Sequence, residues 1–470
     1  MYEKNQQITA EAQSLGTQGE GVIKADGITF FVPGVLPGEV VRFKILKTAS
    51  GIGYGKAEEI VVSVPSRVKA VCPVFGKCGG CQLQHMSYEA QLSFKKDLVQ
   101  NTLKKIGNIQ IEVPIPVPSE KQYGYRNKLQ LPVGVNANGE TVIGFYAERS
   151  HRIVPIDSCA IHPDWATKMI ACFQEYIVEN GENGYDELRK TGSLRHIVVR
   201  DMGGSFIIAV VSRENKLKNA ASLIEKLKKV FSEFTLILNV NKRDTNVIFG
   251  DKFITLYGSG FFESSEAGVT FEAGAQTFVQ INEDIRQKLY ERVVNEIAGE
   301  KNSVVIDCYS GAGLMTAMAA KYAKRAYGIE LSAEAVACAD KLKEKNGLKN
   351  MHNICGKVEE ELFRVLENEH GENVNLILDP PRAGIHRSVI RALLQSGIEK
   401  LTLISCNPAT LARDLGLLTG ALTEDETGQL VKNDVSAGAY DITFVQPFDM
   451  FPQTKHVETL ICLTRINHNI

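Results

Sequence analysis

An α/β fold is predicted on three observations. From about residue 281 onward, helical and strand-like patterns alternate. Two strand ends in that region carry glycine, proline and reactive side chains: Asp307 to Gly313, and Ser405-Cys406-Asn407-Pro408. The first sixty or so residues instead show short apolar runs broken by glycine and proline. The alternation implies a parallel sheet with helices on both faces, the Rossmann-like doubly wound arrangement. The short runs imply a small β-barrel. A mainly β central region separates the two. The expected division is 1–66, 67–275 and 276–470, with a helix at about 86–107 expected to pack on the last of these, in line with the three domains that 470 residues suggest.

In chain order, the barrel rests on Ile28–Val32, Val40–Leu46 and Glu59–Val64, punctuated by Pro33-Gly34, Pro37-Gly38, Gly51, Gly53 and Gly55. Its charge is uneven: residues 1–39 hold two basic and five acidic groups, residues 40–77 seven basic and two acidic. A basic face suits a phosphate backbone, and equally an ordinary solvated surface. A cysteine-rich loop spans 72–81. Tyr88–Ile106 is predicted helical, with Leu92, Leu98, Val99, Leu103 and Ile106 at helical spacing, and Pro114, Pro116 and Pro118 follow it. Leu129–Val135 and Thr141–Tyr146 flank Asn136-Ala137-Asn138-Gly139, a hairpin signal. Helices are expected at 164–180 and 214–232. The alternating region reads as helix 282–298, strand Ser303–Asp307, helix 314–324, strand Arg325–Glu330 and helix 332–345. Strand Val374–Asp379, helix 386–396 and strand Leu401–Cys406 complete it.

Composition narrows the class. Hydrophobic residues at 44% exclude global disorder, and a net charge of −2 excludes a polybasic protein by bulk charge. The N-terminus, Met1 to Gln7, is polar and has no signal-peptide core. Apolar runs such as Phe206–Val211 are strand-sized, far short of the ~20 residues that span a bilayer. A reducing cytoplasm is expected, where clustered cysteines mean metal or catalysis more often than disulfides.

The turn after Asp307 is Cys-Tyr-Ser-Gly311-Ala-Gly313 and opens a helix. Glycines there let the backbone turn tightly and pass close to a ligand. Glu330 ends the next strand, where a carboxylate can accept both ribose hydroxyls. No lysine follows to meet phosphates, which excludes a P-loop. An adenosyl cofactor without phosphate, S-adenosylmethionine, fits best. Tyr309 is read either as a cofactor contact or as core.

A cysteine beside a methyl donor suggests uracil chemistry. Carbon 5 of uracil is a poor nucleophile until a thiolate adds to carbon 6. A base must then remove the carbon-5 proton. Cys406 and Glu458 suit these two roles. Cys172, Cys308, Cys338, Cys355 and Cys462 are expected to be buried, the usual state of a free cysteine.

These motifs together resemble the bacterial RNA uracil-C5 methyltransferases. The matching segments are Phe278-Val279-Gln280-Ile281-Asn282, Asp307 to Gly313, Asp379-Pro-Pro-Arg382-Ala-Gly384, Ser405-Cys406-Asn407-Pro408-Ala-Thr410 and Phe451 to Glu458. The resemblance implies that Cys406 is the nucleophile and Glu458 the base. It implies that Gln280, Tyr309, Glu330 and Asp379 hold the cofactor or order the pocket. Leu314 stands where some relatives have a cofactor-contacting asparagine, and Lys357 falls near another such polar position. The N-terminal barrel resembles a TRAM domain, which implies RNA binding by its basic face. The aromatics and cations of Tyr123-Gly-Tyr125-Arg126-Asn127-Lys128 are read as base-stacking groups or as core.

Cys72, Cys78 and Cys81 form C-x5-C-x2-C, and Cys159 lies far downstream. Four thiolates fit zinc, slightly favoured by spacing alone, or an iron–sulfur cluster. Cys78-Gly-Gly-Cys81 also fits a redox pair. The resemblance to relatives acting on large-subunit rRNA implies a [4Fe-4S] cluster with a structural role. The expected partner is therefore 23S rRNA, with the target uridine flipped into the Cys406 pocket. A monomer without membrane or stable protein partners is expected.

Three rivals remain at this stage. The tRNA-specific branch shares the chemistry but usually lacks both barrel and cysteines. A radical enzyme of the S-adenosylmethionine type needs C-x3-C-x2-C. A non-catalytic RNA-binding factor has no need of Cys406 and Glu458.

Overall fold

The computed structural model describes residues 2–466 apart from 278, 300–301 and 434–437. Phe278, the start of one motif, lies outside the described residues. The C-terminal sheet runs, in spatial order, Met351–Cys355, Arg325–Glu330, Val304–Cys308, Val374–Leu378, Lys400–Ser405, Glu458–Arg465 and Tyr440–Phe448. The first five strands are parallel and the last two antiparallel. Chain order reverses between Val304–Cys308 and Val374–Leu378, so a crevice opens at the carboxyl ends of those strands.

Several elements escaped the sequence pattern, three of them beside the site. Met351–Cys355 is an edge strand on which only Met351 is buried, so it shows no run of apolar residues. Helix Val358–Asn368 follows it. Helix Pro408–Leu418 starts inside a motif: the Asn407 side chain accepts the Ala409 N–H and Pro408 occupies the first turn.

The central sheet runs Lys252–Tyr257, Glu233–Val240, Ser205–Ser212, Leu194–Asp201, Lys128–Val135, Thr141–Tyr146 and Ile153–Pro155. Both of its faces are buried. Phe206, Ile208 and Val210 pack with helices Trp165–Asn180 and Ala220–Lys228. The alternate residues Ile207, Ala209 and Val211 join Leu289, Val305 and Ile404 in the core of the C-terminal half. Side chains alternate along a strand, so one unbroken apolar run feeds two cores. Each large side chain so buried contributes about 1.5–3 kcal/mol. The helix expected at 214–232 is only Ala220–Lys228. Glu182 takes the Lys218 N–H at 2.7 Å, and Asn219 turns to φ 47°, so the preceding residues stay a loop.

At the N-terminus six strands pair in the order Gln7–Glu11, Val40–Ala49, Ile52–Val62, Ile28–Val32, Gly21–Ala25, Ser14–Leu15. The two end strands are successive pieces of one segment, with only Ala12 and Gln13 between them. Ala12 N–H donates to Glu39 O and Gln13 N–H to Val22 O, so the sheet curls around Phe30, Phe43 and Ile23. A Cβ at Gly53 would meet Phe30 at 2.3 Å and one at Gly55 would meet Phe43 at 2.5 Å, so both positions require glycine.

Helix Tyr88–Lys105 packs on the C-terminal core, where Val99 and Leu103 meet Leu411 and Leu415, while Phe94 stays with Leu83 and Met86. Ile106, expected on its apolar stripe, is exposed. Gln91 and Lys95 are buried instead. Cys172, Cys308 and Cys462 are buried as expected, whereas Cys338 and Cys355 are exposed. Cys338 faces an open cavity on its helix, and Cys355 ends the edge strand. Among the described residues no helix is long and apolar enough to cross a membrane.

Candidate active site

Strand register builds the reactive centre. Ser405 pairs with Thr459 across antiparallel strands, so the next pair sets Cys406 against Glu458. Residues directly opposite in such a pair share one face and lie within side-chain reach. Glu458 is also the register partner of Phe448. Asp379 follows the neighbouring parallel strand directly, and Arg382 lies in the turn beyond it. Asn407 Nδ2 and Thr410 Oγ1 both donate to Arg382 O, at 2.9 and 3.3 Å. These bonds tie the Asp379-Pro-Pro-Arg382 turn to the turn that carries Cys406.

The electrostatics bind the same four side chains into one unit. Burial pushes the Glu458 carboxyl well above the usual range; Asp379 adds to this and the Arg382 guanidinium opposes it. Burial also pushes Asp379 up to about 7. The Cys406 thiol is raised by burial and by Glu458, while Arg382 draws it down by its charge and a hydrogen bond. The cation thus favours the thiolate and the carboxylates disfavour it. Sequence reasoning quoted Arg382 within a motif but gave it no role. The available signal was a lone cation one turn past a buried carboxylate.

The turn after Asp307 shapes the adjacent crevice. Thr316 Oγ1 donates to Asp307 at 2.6 Å, and burial pushes that carboxyl up to about 7. Tyr309 and Ser310 N–H groups both bond Ile329 O, which holds Tyr309 at φ 66°. Gly313 sits at φ 80°, where a Cβ would meet Ala339 at 2.7 Å. Glu330 accepts the Gly311 N–H at 3.0 Å and the Ser332 N–H at 2.8 Å. Gly311, Ser332 and Leu314 line an open cavity of about 1050 Å³. Leu314 therefore offers an apolar wall. Lys357 is exposed and pairs with Glu360 at 3.3 Å. Gln280 is buried, and its carbonyl accepts Asn127 Nδ2 at 3.2 Å. Tyr309 is half-buried against the core.

All four cysteines of the N-terminal pattern line one cavity of about 370 Å³: Cys72, Cys78, Cys81 and Cys159. Among the described residues no group of three or more His, Cys, Asp or Glu is arranged to hold a metal ion. Burial pushes Cys81 up to about 11 and Cys159 up to about 12, with the neighbouring thiols adding to the rise. Arg126 and Lys128 share the cavity wall, and Arg126 Nε is buried without a partner among the described residues. Val279 and Ile281 line the cavity too, so the segment bearing Gln280 runs from the cysteines to the crevice. Of the nearby tyrosines, Tyr125 is core, its hydroxyl donating to Pro452 O at 3.0 Å.

The doubly wound sheet, the glycine turn and the strand-end carboxylate define an S-adenosylmethionine-dependent methyltransferase. The model of the tRNA (uracil-5-)-methyltransferase family matches residues 87–466, and the chain belongs to that family. An RNA methyltransferase of Halalkalibacterium halodurans is 36% identical over 98% of this chain and 97% of its own. One from Listeria innocua is 36% identical over 99% of both. Among solved structures, the Pyrococcus abyssi tRNA (uracil-54, C5)-methyltransferase in complex with S-adenosyl-L-homocysteine matches with a TM-score of 0.75 at 26% identity. That match covers 97% of this chain and 99% of the other. A tRNA enzyme therefore extends across the N-terminal sheet and the cysteine segment, so the length of the chain does not separate rRNA from tRNA substrates.

Proposed function

We propose that the protein methylates carbon 5 of a uridine in 23S rRNA through a covalent Cys406–uracil C6 adduct. The strand register that brings Cys406 beside Glu458, with the electrostatic interaction between them, supports the covalent chemistry of this reading. The Cys406 sulfur adds to C6, and the electron pair of the C5=C6 bond becomes available at C5. Arg382 steadies the thiolate before attack. S-adenosylmethionine supplies the electrophilic methyl group. Glu458 then takes the C5 proton, the C5=C6 bond reforms and the sulfur leaves. A carboxyl raised by burial is a stronger proton acceptor near neutral pH than an exposed one. Turnover is expected to fall as pH is lowered through the neutral-to-acid range, because burial raises the Glu458 carboxyl and its protonated form cannot accept the C5 proton. A kcat that stays flat through that range removes Glu458 from the base role.

Gln280, Tyr309, Glu330 and Asp379 form the proposed cofactor wall. Each Glu330 oxygen accepts one backbone N–H and keeps a lone pair for a ribose hydroxyl. Glu330→Gln is expected to weaken S-adenosylmethionine binding about tenfold or more, since hydrogen bonds to a charged group contribute about 1.5–3 kcal/mol. Titration calorimetry on the RNA-free chain reads this directly.

The four-cysteine cavity is proposed to hold a [4Fe-4S] cluster. Its size, its four thiols and the unpaired Arg126 nitrogen suit an anionic polynuclear group. Bound iron would hold the thiolates ionised and tie the 72–81 loop to Cys159. Cys81→Ser is expected to lose bound iron and visible absorbance and to lower the melting temperature by several degrees. Full iron content in that variant rejects the ligand assignment. The curled sheet of 1–66 is proposed to act as a TRAM-type RNA grip, and 67–275 to join it, apart from helix Tyr88–Lys105, which serves the 276–470 unit.

The second reading is a tRNA uridine-C5 methyltransferase, favoured by the full-length match to the Pyrococcus abyssi enzyme. Methyl transfer to 23S rRNA and tRNA transcripts decides between them, with 5-methyluridine mapped in RNA from a deletion strain. Methylation of tRNA alone overturns the rRNA assignment and leaves the chemistry intact.

A further inference from the structure

Resting on the reading of Glu458 as the base, we infer that Gln91 and Lys95 are positioning residues that lock the loop delivering Glu458 to the site. They lie one turn apart on helix Tyr88–Lys105, hence on one face. Glutamine and lysine in a helix normally face water. Here Gln91 is 1% exposed and Lys95 0%.

Every one of their bonds from the side-chain ends to the C-terminal half goes to loop 449–457. Lys95 Nζ donates to the Asp449 carboxylate and, at 3.0 Å, to Phe451 O. Gln91 Nε2 donates to Gln453 Oε1 at 3.0 Å, and Gln91 Oε1 accepts the Gln453 N–H at 3.0 Å. Gln453 O in turn accepts the N–H groups of Gln82 and Leu83, at 3.2 and 3.0 Å. Gln453 stands at φ 69° and is 1% exposed. That conformation is uncommon for a residue with a side chain and persists where surrounding bonds over-determine it.

The loop joins strands Tyr440–Phe448 and Glu458–Arg465, and Glu458 is the first residue of the second strand. A strand end frays unless its loop is held. The distance from the Glu458 carboxylate to the substrate carbon therefore depends on a helix more than 350 residues earlier, since the two bonded pairs are 354 and 362 residues apart. Gln82 and Leu83 directly follow Cys81, so the same clamp links the cysteine loop to the base.

Two full-length variants test the clamp. Gln91→Leu removes the side-chain bonds. Gln453→Gly removes one of them and keeps the backbone bonds, with a residue that tolerates positive φ. Covalent capture by a 5-fluorouridine-containing RNA transcript reports Cys406, and turnover on uridine RNA reports the base. Capture is expected within about twofold of wild type and KM for RNA unchanged, while kcat falls about 10- to 100-fold. The fraction of chain held as methylated adduct during turnover should rise. Wild-type kcat in both variants overturns the inference. So does an equal fall in capture and turnover, or failure of both variants to fold, because either assigns the bonds to stability alone. A wild-type chain that captures no 5-fluorouridine RNA overturns the Cys406 reading and this inference with it, whereas normal wild-type capture with unaffected variants sinks the inference alone.

Discussion

Cys406→Ala is expected to lower turnover by about 10⁴-fold or more and to abolish the covalent complex with 5-fluorouridine RNA. Loss of a covalent nucleophile removes the pathway itself, so the effect belongs with the largest known for single residues. The substitution is small and the position only partly buried, so the fold should persist. A gel that resolves protein–RNA complexes under denaturing conditions gives the answer. Undiminished complex with Cys406→Ala would transfer the nucleophile role elsewhere. The other solvent-reachable cysteines lie elsewhere: Cys72, Cys78, Cys81 and Cys159 line their own cavity, and Cys338 and Cys355 sit on another helix and strand.

Glu458→Gln has the second largest expected effect and the opposite signature. Addition of sulfur and methyl transfer proceed, but the C5 proton has no acceptor. Turnover should fall by about 10²- to 10⁴-fold while adduct accumulates on ordinary uridine RNA. Normal turnover excludes Glu458 as the base. The substitution also alters stability with a definite sign. Folding raises the Glu458 and Asp379 carboxyls, so the folded chain binds their protons more tightly than the unfolded chain. That stabilisation is full below the ordinary carboxyl range and is lost as pH rises, for Asp379 by about 7 and for Glu458 in the same direction. The melting temperature of Glu458→Gln should therefore vary less steeply with pH than that of wild type across the acid-to-neutral range.

Much of the C-terminal fold was legible because its strands are uniformly buried and its helices periodic. Strand Val304–Cys308, the turn to Gly313 and Glu330 were readable from local pattern alone. Glu458 was named from the base that the Cys406 chemistry requires and then from the family resemblance, since nothing local pairs the two: Cys406 is 52 positions earlier and only the sheet register joins them. Edge strand Met351–Cys355 was invisible because an edge needs few apolar residues. Buried polar groups escape local pattern for a general reason. Gln91 and Lys95 look like a solvated helix face until the distant acceptors are known. The assumption that free cysteines are buried failed at Cys338 and Cys355, where helix phase and strand end override residue preference.

The ion pair between Lys95 and Asp449 also has a temporal side. A ribosome adding about 5–20 residues per second makes the lysine roughly 20–70 s before its acid, given their separation of 354 residues. A bare ammonium is costly to bury, so over that interval the helix bearing Lys95 must stay hydrated and undocked. The wall that this helix provides for the C-terminal core can close only when the last strands have emerged. The order of synthesis thus makes closure of the catalytic core wait for strands Tyr440–Phe448 and Glu458–Arg465, and it ties the timing of that closure to helix Tyr88–Lys105.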